Sequence, residues 1–233
     1  MNRKRIVALV MVAALALTSV IGGTLAYFTD TDDATNTFTM GNVEIVLDEA
    51  PVEYNPDGYE WVEDKTASGR VDTNTYGDED GYLYPGAVLP KDPTVHNTGL
   101  NDAYIRIKVT MNPVVLAALT EGEDGLTDPL DQFLAIANVD TTETCTWEYE
   151  DDVIEDGLWT LTARYSEIVA PGESTTPFFT TVTIPTSFEN NEDLDDDNPF
   201  TMEIVAEAIQ AASFEDADEA WAAFDAETEL PAA

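Results

Sequence analysis

Residues 193–198, Asp-Leu-Asp-Asp-Asp-Asn, place carboxylates at the first, third and fifth positions of a calcium-loop register. Hard cations need such oxygen donors, so Asp193, Asp195 and Asp197 are the metal-ligand candidates that the spacing offers. Asn198 stands where that loop needs Gly, and the twelfth position is Ile204 rather than a bidentate Glu. The segment therefore reads first as a solvated loop, with calcium the one cofactor it could hold. Other reactive chemistry is sparse, because the chain has 1 His and 1 Cys. A lone His cannot fill the two- or three-His sets of zinc enzymes, and neither HExxH nor GxSxG is present. His96 is accordingly read as a surface or hydrogen-bonded structural residue rather than a member of a Ser/His/Asp set. Cys145 is read as a small buried apolar residue rather than an intermolecular crosslink. No catalytic residue is assigned, and the chain is expected not to be an enzyme. Trp61, Trp147, Trp159 and Trp221 read as core, although an exposed one on a sheet face could stack on a sugar ring.

The N-terminus has the chemistry of export. Arg3, Lys4 and Arg5 precede an apolar run from Ile6 to Ile21, Gly22-Gly23 breaks it, and Thr24 and Ala26 supply the small side chains a signal peptidase requires before a cut ahead of Tyr27. The run is shorter than the roughly 20 residues that cross ~30 Å of hydrocarbon, so cleavage is favoured over an uncleaved anchor and membrane contact is expected only through the signal. The remaining protein is expected to be secreted, in an extracellular matrix or at a cell surface. With 47 Asp+Glu against 9 Lys+Arg, a net charge of −38, the chain is repelled by phosphate backbones and anionic lipid, which argues against nucleic-acid binding.

The elements that position these groups read as strands. Residues 103–111, AYIRIKVTM, alternate with period two. Strands are also expected at 43–47, 88–96, 144–150, 157–165, 175–185 and 201–210, with Pro90 and Pro93 marking 88–96 as edge-like. Asn55-Pro56-Asp57-Gly58 and residues 77–81 carry turn chemistry and bracket a stretch read as irregular or as a marginal hairpin. Helical insertions are expected at 113–119 and from Asp128-Pro129 onward. Ser213 begins an amphipathic helix over 213–227 whose face, Phe214, Ala217, Ala220, Trp221 and Phe224, is expected to dock on its own domain. The fold class is all-β, a jelly-roll-like two-sheet sandwich with short helical insertions and a C-terminal helix. The division is 1–26 signal, 27–40 N-terminal arm and 41–233 sandwich domain.

The arm could carry an assembly function. Thr29, Thr31, Thr35, Thr37 and Thr39 share one parity, while Phe28, Ala34, Phe38 and Met40 share the other and could fill pockets in a groove. Extended, Tyr27 to Thr39 reaches about 43 Å, far enough to leave its own body and complete an unpaired sheet edge in another molecule. A terminus that simply frays or pairs with its own domain is the other reading.

Gly22-Gly23-Thr24-Leu25-Ala26-Tyr27-Phe28-Thr29-Asp30, then Asn36 to Ile45, Tyr84-Pro85-Gly86, Val95-His96-Asn97-Thr98-Gly99, Ala103-Tyr104-Ile105-Arg106 and Ala170-Pro171-Gly172-Glu173 together resemble secreted proteins of the TasA/camelysin type. The resemblance implies a jelly-roll sandwich, processing by a SipW-type signal peptidase, and head-to-tail self-assembly into biofilm-matrix fibres by donation of the freed N-terminal strand. Matrix polysaccharide is a further partner in keeping with that setting. A monomeric surface module that binds carbohydrate or another ligand is the alternative. Some relatives are called metalloproteases, a label at odds with the absence of HExxH here.

Overall fold

Clean alternation over Ala103–Met111 forms the central strand of the protein. The computed structural model describes residues 29–32, 43–74, 76, 84–120, 126–139, 146–186 and 200–228. In chain order its strands are β1 (Thr29–Asp32), β2 (Ile45–Asp48), β3 (Val52–Asn55), β4 (Glu60–Glu63), β5 (Val88–Pro90), β6 (Thr94–Asn97), β7 (Ala103–Met111), β8 (Trp147–Glu155), β9 (Leu158–Tyr165), β10 (Thr181–Thr183) and β11 (Met202–Gln210). The helices are α1 (Pro113–Leu119), α2 (Pro129–Ile136) and α3 (Ala217–Thr228).

Five strands pair antiparallel in the order β1-β11-β7-β9-β8. Because side chains alternate across a pleat, Ile105, Ile107, Val109 and Met111 all face inward and are fully buried, beside Trp159, Leu161 and Ala163 of β9 and Ala206 and Ala208 of β11. The facing layer is built from short ladders, β2 with β6 and β5 with β10. Its Val43, Ile45, Leu89, Val95, Val182 and Ile184 belong to the same continuous core. The architecture is thus the expected all-β sandwich, with few and short helices.

Local chemistry explains the departures from the expected elements. The single strand expected over 88–96 is two, β5 and β6, because Pro93 has no N–H to donate and the chain changes ladder partner there. The Asn55-to-Gly58 turn closes a real hairpin, β3 against β4, with Asn55 Oδ1 accepting from Asp57 N at 3.2 Å. β8 starts later and runs further than expected, since Asp156 and Gly157, at φ 51° and 82°, make the two-residue positive-φ turn that feeds β9 directly.

Both helical insertions begin with a capped proline start. Asn112 Oδ1 accepts from Val114 N at 2.9 Å and Asp128 Oδ1 from Leu130 N at 3.0 Å. The second helix drives Phe133 into the core, 5.6 Å from Trp159 and 6.0 Å from Phe179 between ring centres. At the C-terminal helix the expected Ser213 cap is displaced: Asp216 Oδ1 accepts from Glu219 N at 3.0 Å, while Ser213 Oγ accepts from Gln210 Nε2 at 2.6 Å. The expected face does dock on its own domain, with Phe214, Ala217, Ala220, Trp221 and Phe224 packed around Ile209.

Candidate functional site

One edge of the large sheet is made by the chain's own N-terminal arm. β11 pairs with β7 along its whole length, from Met202 opposite Met111 to Gln210 opposite Ala103. On its other side it receives β1, with Thr29 opposite Ile209, Asp30 opposite Ala208, Thr31 opposite Glu207 and Asp32 opposite Ala206. That side of Met202–Val205 has no ladder partner among the described residues. Backbone N–H and C=O groups at such an edge are a template for an added strand.

The opposite edge, β8, is guarded. Its register shifts between Tyr149 and Asp151, and it carries Glu148, Glu150, Asp151, Asp152 and Glu155. A bulge and a row of like charges both oppose pairing with a strand from another acidic chain.

The receiving strand is fixed from behind by a buried charge network. Arg106 of β7 is 3% exposed, and its Nε donates to Glu207 Oε2 at 2.6 Å. Its two terminal nitrogens donate to Asp225 of α3 at 3.2 and 2.5 Å. The guanidinium also lies 4.5 Å from the Trp221 ring and 5.1 Å from Phe224. Burial alone would lower the Arg106 pKa, but its hydrogen bonds to Asp225 and the field of Glu207 outweigh burial and raise it, so the cation persists. Lys108 Nζ completes the group, donating to Glu207 Oε1 at 2.8 Å, and Arg164 donates to Asp218 in the first turn of α3 at 2.5 Å. Three of the chain's 9 basic residues thus stand on this one face, and two of them, Arg106 and Arg164, latch α3 to the sheet whose edge takes β1. The network escaped the sequence reading because it links positions about a hundred residues apart, which only strand register brings together.

Of the residues assigned to strand donation, Thr29 and Thr31 lie in β1, while Phe28, Ala34, Thr35, Thr37, Phe38 and Met40 lie outside the described residues. Outside them too are the cleavage residues Thr24, Ala26 and Tyr27, the calcium candidates Asp193, Asp195 and Asp197, and Cys145. All four tryptophans are buried, as expected, so none offers an exposed face to a sugar. No helix among the described residues is long and apolar enough to cross a membrane.

Against known proteins, residues 2–53 match the family model described as Camelysin metallo-endopeptidase. Over that segment the chain is camelysin-like. The resemblance read over the N-terminal segment is supported there. No curated protein and no solved structure matches the chain. The family description overturns the expectation that the chain is not an enzyme, since it names a peptidase. That expectation rested on the missing HExxH and the single His, whereas the matched segment spans β1 and β2 and contains no His. A metal does not fit the side chains at hand: His96 is held by Asp48 and Ser174, and no three His, Cys, Asp or Glu among the described residues are placed to share an ion.

Proposed function

We propose that this chain is an exported subunit that polymerises by exchanging its N-terminal strand, after a SipW-type peptidase frees the arm, into extracellular matrix fibres. The observation that supports the reading is the ladder of Thr29–Asp32 on Ala206–Ile209. An edge that accepts this strand from its own chain accepts the same strand from a second copy, with identical hydrogen bonds and register. Residues 33–42 join β1 to the sandwich and span about 33 Å when extended, enough for β1 to leave one body and reach the next. Exchange around such a linker is head-to-tail and propagates as an open filament. Before cleavage the arm is tethered to a membrane-inserted segment and only the self-paired form is available. The guarded β8 edge keeps growth to one acceptor.

Electron microscopy of the processed protein beside a version starting at residue 41 tests this. Fibres are expected from the first and not from the second, and normal fibres from the truncated protein would remove the arm as the polymerising element. The family description supports a second reading, peptidase activity, which casein turnover with and without a chelator examines directly.

A further inference from the structure

The cross-strand neighbours of His96 go beyond fibre assembly. β2 pairs with β6 so that Val46 lies opposite His96 and Asp48 opposite Thr94. The segment after the Pro171-Gly172 turn runs along the other side of β6, with Ser174 opposite His96. Gly172, at φ 81°, takes a backbone conformation that side chains disfavour, and its N–H donates to Asn97 O at 2.8 Å, which fixes this register. The pleat turns Ile45, Val95 and Thr175 to the core. Val46, Asp48, Thr94, His96 and Ser174 are therefore left on the other face, where Arg70 covers Thr94. Asn97 N donates to Glu173 O and Thr175 N to Val95 O, so His96 and Ser174 are a non-hydrogen-bonded pair, the closer of the two antiparallel spacings.

Ser174 Oγ lies 2.6 Å from His96 Nδ1, and His96 Nε2 lies 2.9 Å from Asp48 Oδ1. An ionised Asp48 only accepts, so it holds the proton on Nε2 and leaves the Nδ1 lone pair facing the Ser174 hydroxyl. Arg70 Nε donates to Asp48 and pins it, while Nη1 donates to Asp92 Oδ2 at 3.0 Å and Nη2 to Thr94 Oγ1 at 3.1 Å. Asp48 thus holds the imidazole in place from the side opposite Ser174. The pairing geometry directs the Ser174 N–H away from β6, and it has no acceptor among the described residues.

We propose that Ser174, His96 and Asp48 form a serine-type acyl-transfer site for ester or amide carbonyls on extended chains that meet the exposed Ser174 edge of this face. Ser174 Oγ bonds to the acyl carbon as its proton passes to Nδ1, and the Ser174 N–H receives the oxyanion. The bond from acyl carbon to leaving group breaks, and the leaving group takes the proton from Nδ1. Water then adds to the acyl-enzyme, gives its proton to Nδ1 and releases the acid while Ser174 recovers its hydrogen. The net reaction is hydrolysis, with water as the co-reactant.

A fluorophosphonate, which modifies activated serines, tests this on the full processed chain by peptide mass mapping. Ser174 is expected to label at least about tenfold faster than exposed Ser68, and His96→Ala to lower that rate by about 10²-fold or more. Ser174→Ala, an exposed change, is expected to remove the adduct at that position and the turnover of a small nitrophenyl ester. Labelling of Ser174 no faster than Ser68, or a rate unchanged in His96→Ala, would overturn the assignment.

Discussion

Replacing Arg106 by Met should unlatch α3 and weaken the receiving strand together. The substitution leaves Glu207, only 6% exposed, with Lys108 as its remaining cationic partner. Removing one member of a buried pair costs about 3–5 kcal/mol, most of it the penalty of the orphaned charge. The Asp225 contribution is smaller, because that side chain is 50% exposed and solvent screens it to within ~1 kcal/mol. Loss of the cation over Trp221 and Phe224 adds about 1 kcal/mol, part of which Met packing recovers. A total near 4 kcal/mol shifts a urea midpoint by about 1–2 M for slopes of 2–3 kcal/mol per M. Urea titrations followed by far-UV circular dichroism and tryptophan fluorescence measure this, with Trp221 reporting α3. Adding Glu207→Met to Arg106→Met should recover most of the loss, since an apolar pair leaves no buried charge behind. A single variant within ~1 kcal/mol of the parent, or a double variant weaker than the single, would refute the reasoning.

Other outcomes follow from the same geometry. Burial, then the negative fields of Glu49 and Asp92, raise the Tyr76 pKa above its ordinary 10.0, and its hydroxyl donates to Pro90 O. The neutral phenol is favoured in the fold, so its contribution is whole below about pH 10 and is lost as pH rises through the raised value. Tyr76→Phe should therefore cost about 1 kcal/mol at pH 8 and flatten the alkaline decline in the urea midpoint. Asp128→Ala removes the cap of α2 and should lower stability by about 1 kcal/mol in the same titration. Because a charge of −38 opposes close approach of subunits, fibre growth followed by light scattering should quicken at low pH or with calcium on the order of 1 mM. A rate indifferent to both would contradict that electrostatic account.

Local periodicity made the sheet legible. The alternation of 103–111 becomes β7 with its boundaries intact, and 201–210 becomes β11 with Ile209 turned to α3 and Ala206 and Ala208 turned to the core. Proline starts at 113 and 129 mark real helices because their first-turn N–H groups lack intrahelical partners in any case. Contacts made by register were not legible. Arg106 and Glu207, or Asp48, His96 and Ser174, are ordinary polar positions in alternating strands until the strand order is known. No GxSxG elbow marks His96 for this reason, since a hydrogen-bonded set carried on β2, β6 and the bridged segment at Ser174 has no local motif. At the C-terminal helix, Ser213 and Asp216 both suit a cap, and only the recruitment of Ser213 by Gln210 decides between them.

Strand exchange is tested most directly by mixing two single-cysteine proteins, Asp32→Cys and Ala206→Cys, each in a Cys145→Ser background. These positions are directly opposed in the β1–β11 ladder, within disulfide range for antiparallel neighbours. Fibres grown from the mixture and oxidised should yield covalent dimers that neither protein gives alone. Fibres that form without such dimers, while a chain carrying both substitutions closes its disulfide internally, would show that the arm stays on its own sheet.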